Sequence, residues 1–166
     1  MIGKKVESAF NGQVNAELYS SYLYLSMAAY FASNNLVGFA HWMRVQAEEE
    51  TKHAMRFYDH IIERGGRVEL KEIDGPKASW KSPLEAFEDA YKHELKVTGM
   101  INGLVDLSYS ENDHASRSFL KWFIDEQVEE EASTNEIAAK LRLVGDKMAG
   151  ALLMMDHHLG KRGKGD

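Results

Sequence analysis

The chain has 166 residues, 44% of them hydrophobic, with 20 lysines and arginines against 26 aspartates and glutamates and a formal net charge of -6. That length and apolar content suit one domain with a sizeable core, while the scattered acidity argues against a nucleic-acid binder held by phosphate contacts and suits cation binding. No cysteine is present, which excludes disulfides, thiolate metal sites and a cysteine nucleophile. Only two prolines occur, Pro76 and Pro83, and the remainder is rich in Ala, Leu, Met, Glu and Lys, so the expected fold is all-α. The N-terminal MIGKKVESAF lacks the apolar run of a signal peptide and no stretch is long and apolar enough to span a bilayer, so a soluble, cytoplasmic protein without membrane partners is expected.

A first long helix is predicted from about Lys4 to Ser33, with Phe10, Val14, Glu17, Ser21, Tyr24, Ala28 and Phe31 on one stripe. Asn34 and Asn35 break it, and a second runs from about Leu36 to Arg64 until Gly65 and Gly66 stop it. Its stripe is Phe39, Met43, Gln46, Glu50, His53 and Phe57. So short a break makes these two helices an antiparallel hairpin. From Gly65 to Ser82 the pattern lapses among Gly65, Gly66, Gly75, Pro76 and Pro83. At no more than about 3.5 Å per extended residue, such a connector can run the whole length of a helix rising about 1.5 Å per residue. The third helix can therefore start at the same end as the second and lie parallel to it.

Ser82, Pro83 and Glu85 form a good helix start. The third helix then reaches about Ser110, with Leu84, Phe87, Tyr91, Glu94, Thr98, Ile101 and Val105 on its stripe. A polar break from Glu111 to His114 precedes a fourth reaching about Leu143, with Leu120, Phe123, Gln127, Glu130, Thr134, Ile137 and Leu141. After Gly145, a short fifth helix from Asp146 to Leu159 carries Met148, Leu152, Met155 and Leu159. The domain is taken as residues 1–160 and the glycine-rich, basic residues 161–166 as a flexible tail.

Each long stripe is interrupted by polar groups near its midpoint: Glu17, then Glu50 and His53, then Glu94, then Gln127 and Glu130. A midpoint stays at the same height whether a helix runs up or down, so in an up-and-down bundle these residues share one layer. Four buried carboxylates with no lysine or arginine on those stripes would be prohibitive without cations, and two divalent ions balance them. Oxygen-rich ligation with one imidazole suits iron or manganese. Because carboxylates also bridge two ions and stabilise the trivalent state, iron is the natural assignment.

The motifs NAELYSSYLYLSMAAYF, FAHWMRVQAEEETKHAMRFYDHIIERGGRV, AFEDAYKHE and FLKWFIDEQVEEEAS together resemble those of the non-haem bacterial and archaeal ferritins. The resemblance covers nearly the whole chain. It implies a ferritin-like four-helix bundle with a long crossover and a short fifth helix. It also implies iron storage, with two Fe(II) ions per chain oxidised by dioxygen or hydrogen peroxide and mineral deposited inside a shell of twenty-four chains with octahedral symmetry. By resemblance, Glu17, Glu50 and His53 hold the first iron, with Glu50 bridging, and Glu94 and Glu130 hold the second with Gln127 beside it. A third iron nearby would fall on Glu49, Glu126, Glu129 and Glu130, and Tyr24 would flank the pair. Glu130 stands where the general pattern has a second histidine, which leaves the second iron with fewer ligands. Thr51 stands where bacterioferritins carry a haem-ligating methionine, so no haem is expected.

Two other readings of the layer stand beside storage: a di-iron peroxidase or oxygenase that keeps its metals, and a structural bundle whose carboxylates serve packing alone. Trp42, Trp122 and the methionines read as packing residues. His41, His60, His93 and His114 have no partner on the stripes and are expected at the surface or an interface. His157 and His158 either line a pore or face solvent.

Overall fold

The computed structural model describes residues 1–145 and 148–163. Helix α1 (Lys4–Ser33) is followed by α2 (Val37–Glu63), α3 (Pro83–Ser110), α4 (His114–Val144) and a short α5 (Ala149–Leu159). No strand occurs among the described residues, and no helix is long and apolar enough to cross a membrane. Residues Asp146 and Lys147, expected in the fifth helix, and Lys164 to Asp166, expected in the tail, lie outside the described residues.

Local chemistry sets the helix boundaries. Asn35 and Asn112 take the left-handed conformation at φ 59° and 53° in the two tight turns, a region asparagine tolerates better than most side chains. Gly65, at φ 71°, ends α2. Ser82 accepts a hydrogen bond from the Glu85 amide at 3.1 Å and Asp113 one from the Ser116 amide at 3.0 Å, capping α3 and α4. The crossover is pinned along α1. Asn11 bonds the Arg67 carbonyl at 2.9 Å and the Glu69 amide at 2.7 Å, and Ser26 bonds the Lys77 carbonyl at 2.7 Å.

The core falls into two apolar clusters with the polar layer between them. One holds Phe10 and Val14 of α1, Phe57 and Ile61 of α2, Val97 and Ile101 of α3, and Leu120 and Phe123 of α4. The other holds Tyr24 and Phe31, Phe39 and Met43, Phe87 and Ala90, and Ile137 and Leu141 of the same four helices. Chain order through the clusters gives each direction: α2 and α3 both run from the second cluster to the first, α1 and α4 the opposite way. The parallel pair is what the long crossover permits. On α3 the buried positions are Ala90, Val97 and Leu104 rather than Tyr91, Thr98 and Val105. Phe87, Glu94 and Ile101 are buried as expected, so the inward face is centred on the side of that line carrying Ala90 and Val97, and Tyr91 and Thr98 fall on its other, half-exposed side.

Helix α2 has no side-chain cap of its own. Asp156 of α5 supplies one, its buried Oδ1 accepting from the Gly38 amide at 2.8 Å and the Phe39 amide at 3.0 Å. A carboxylate there also meets the positive end of the helix dipole. A side chain at Gly38 would put its Cβ 1.7 Å from the Asp156 carbonyl oxygen, so only glycine permits the approach. Asp156→Ala should cost about 1–2 kcal/mol, the range of a lost helix cap. Gly38→Ala should detach α5 outright. Hydrogen exchange checks both: protection of residues 149–159 should fall in each variant, more in Gly38→Ala, while the four long helices keep theirs.

Candidate metal centre

Between the two clusters lie Glu17, Glu50, His53, Glu94, Gln127 and Glu130, none more than 5% exposed. All six residues expected in one layer are therefore brought together. Ligand atoms of Glu17, Glu50 and His53 come within 4.8 Å of one another, as do those of Glu50, Glu94 and Glu130. Glu50 belongs to both groups. His53 Nδ1 is 3.3 Å from Glu50 Oε2.

Neutral side chains orient the acids. Gln13 donates to Glu17 Oε1 at 2.8 Å. Gln46 donates to Glu130 Oε2 at 2.6 Å and to Glu50 Oε1 at 3.2 Å. Gln127 donates to Glu94 Oε2 at 3.2 Å and lies 3.3 Å from Thr98 Oγ1. The Tyr24 hydroxyl donates to Glu94 in a very short hydrogen bond. Amides and a phenol fix the positions of the carboxyl groups without supplying a positive charge, so that place is left to a cation or to protons. Glu17 Oε2 is buried with no hydrogen-bond donor, a situation that ordinarily calls for a ligand.

Burial dominates the protonation equilibria. It pushes Glu17 up to about 8, with the charge of Glu50 adding to the shift. Glu50, Glu94 and Glu130 are all raised, first by burial and then by carboxylate neighbours. The Tyr24 phenol is raised well above its ordinary value by burial, then by Glu94. A metal-free layer therefore holds protons that divalent cations would displace.

A third grouping joins His53, Glu126 and Glu130 within 4.8 Å, facing an open cleft of about 750 Å³ that Glu49 and Glu129 also line. Of the four carboxylates expected at a third position, Glu126 and Glu130 are drawn together, Glu129 is exposed, and Glu49 pairs with Arg162 at 2.6 Å. The expected flexible tail is thus fixed at Arg162, whose main chain also joins that of Leu159 at 3.2 Å. Three residues that touch the layer, Gln13, Gln46 and Arg162, have no role assigned from the sequence, although Gln46 lies on the expected inward stripe. Gln13 and Gln46 lie one turn before Glu17 and Glu50, a spacing that places each amide beside its carboxylate; no local signal marks Arg162. His93 and His60, expected at the surface or an interface, are half-buried: His93 lies 2.7 Å from Ser20 Oγ, and His60 stacks on Phe119 with ring centroids 4.0 Å apart.

The ferritin family model, described as a ferritin-like domain, matches residues 7–144. The chain is 43% identical over 162 residues to the bacterial non-heme ferritin of Bacteroides fragilis, covering 98% of this chain and 100% of that one. It is 36% identical over 162 residues to that of Staphylococcus aureus, covering 98% and 97%. Among solved structures, the open pore ferritin of the hyperthermophilic archaeon Archaeoglobus fulgidus superposes with a TM-score of 0.97 at 51% identity, over 98% of this chain and 100% of that one.

The raised Glu17 fixes the sign of a pH effect. Near pH 4 both folded and unfolded chains hold this proton; above it the unfolded carboxyl ionises while the buried one cannot, so the metal-free bundle loses stability up to about pH 8. Glu17→Gln should remove up to about 1.4 kcal/mol per pH unit of that decline. Denaturation of chelator-treated protein between pH 5 and 8 measures it. Equal slopes in the two proteins would refute the buried-proton account.

Proposed function

The chain belongs to the ferritin family, and on that premise we propose that it stores iron, oxidising Fe(II) to Fe(III) at the carboxylate layer and depositing ferric oxyhydroxide inside a hollow shell. The observation that carries this reading is Glu50, buried and shared by two groups of potential ligands whose other carboxyl groups are held by amides and a phenol rather than by cations. In the proposed site Glu17, Glu50 and His53 take the first Fe(II), and Glu50, Glu94 and Glu130 the second. Gln127 and Tyr24 hold Glu94 in place. A third iron would be met by Glu49, Glu126, Glu129 and Glu130 on the cleft side.

Two Fe(II) ions at such a pair give up one electron each. Dioxygen takes both with two protons and leaves as hydrogen peroxide, or peroxide takes them with two protons and leaves as two waters. Four carboxylates compensate the higher charge of the products better than that of the reactants, which favours oxidation in place. The second position lacks an imidazole and has oxygen donors only, so we infer that it holds iron less tightly and releases Fe(III) onward. Storage requires a container, and we propose the twenty-four-chain octahedral shell of the family, working in the cytoplasm.

Glu50→Ala and His53→Ala should each slow aerobic Fe(II) oxidation by more than the roughly 10–100-fold typical of residues that merely support ligands, with the shell still assembling on size-exclusion chromatography. Unaltered rates in both would remove the assigned site. Particle mass after Fe(II) addition in air tests storage separately. It should rise with iron added, whereas an enzyme that only cycles its metals would bind its complement and form no mineral.

A further inference from the structure

The turn after α5 brings a cation to the edge of the acidic layer. Arg162 donates from Nη2 to Glu49 Oε2 at 2.6 Å and from Nη1 to Gln46 Oε1 at 2.8 Å. Its guanidinium carbon lies 4.5 Å from the centre of the Trp42 ring. Only 13% of the Arg162 side chain and 13% of that of Glu49 is exposed. The Arg162 carbonyl is 2.9 Å from His41 Nε2, so the main chain is held as well. Gln46 passes the contact inward. An amide has one oxygen and one NH₂ group, and with its oxygen taken by Arg162 its NH₂ faces Glu50 and Glu130.

We propose that Arg162 is a built-in cation at the third metal position: it neutralises Glu49 while no third ion is bound and must be displaced before one can bind there. The inference rests on the third-iron reading given above. A metal ion on Glu49 would meet the positive charge of the guanidinium at close range, and a displaced guanidinium gives up a charge-assisted hydrogen bond, an amide partner and an aromatic face at once. That penalty falls chiefly on the third ion, because Arg162 bonds Glu49 directly and reaches Glu50 and Glu130 of the buried pair only through the neutral amide of Gln46. The consequence is an order of filling. The buried pair loads first, and the cleft position is kept weak enough to pass iron on instead of retaining it. A simple staple for the tail would need neither the carboxylate of a candidate ligand nor the amide that orients two others.

The test is anaerobic calorimetric titration of the assembled, metal-free protein with Fe(II). Wild type should show two tight equivalents per chain and a weaker third. Arg162→Ala should tighten the third at least tenfold and leave the first two within about threefold. Glu49→Gln in the Arg162→Ala background should remove that gain, which separates release of Glu49 from general loosening of α5. A third equivalent of unchanged affinity in Arg162→Ala would overturn the role of Arg162 while leaving the third position standing. A gain that survives Glu49→Gln would overturn it too. Two equivalents only, in wild type and variant alike, would overturn the third position itself and the proposal with it.

Discussion

Four carboxylates buried at one height in a helical bundle form the constraint on which the rest of the structure depends. Apolar side chains above and below them, from Phe10 and Phe57 on one side to Phe31 and Phe39 on the other, provide the cohesion that the layer cannot. Burying ionised acids without compensation costs several kcal/mol per group, and the bundle meets that cost by protonation when metal-free. Cation binding would reverse the protonation and turn the least stable layer into a cross-link between four helices. Stability and metal affinity are therefore two readings of one electrostatic imbalance.

The manner in which the acids are held is as informative as their presence. A structural layer would be expected to recruit lysine or arginine into direct ion pairs with Glu17, Glu50 and Glu94. Instead their described side-chain hydrogen bonds come from Gln13, Gln46, Gln127 and Tyr24. Neutral donors set direction without lowering the charge, which preorganises the oxygens for a divalent ion. The apolar packing of α1 against α2 and of α3 against α4 keeps the helix midpoints aligned, so the layer's geometry is inherited from the two hairpins.

Most of this was legible in the sequence because helical periodicity makes burial local. A residue on the stripe of Phe39 and Phe57 must be inside whatever the partners are, so Glu50 and His53 declared themselves. The crossover followed from length alone, and the parallel course of α2 and α3 from the crossover. Legibility failed where a contact joins distant parts of the chain. Arg162 meets Gln46 across 116 residues, and Asp156 caps α2 across 118; a basic, glycine-rich ending reads as solvated tail in the absence of its partners. Tyr91 and Thr98 on α3 were misplaced for a subtler reason. Steps of three and of four from Glu94 fall on opposite sides of one stripe, and only the packing partners decide that Ala90 and Val97 face inward in place of Tyr91 and Thr98.

These long-range contacts place the fifth helix in a different light. Asp156 caps the start of α2, and about two and three turns further along the same helix Gln46 and Glu49 meet Arg162. Docking of α5 and the setting of the acidic layer thus share one helix and one face of it. A bundle of four helices would already bury the carboxylates; what the fifth adds is a fixed positive charge at their outer edge. The asymmetry of the layer then has a direction. Its inner carboxyls are oriented by neutral donors and left without a fixed positive partner, while Glu49, at the side facing the cleft, is the one already paired with a guanidinium.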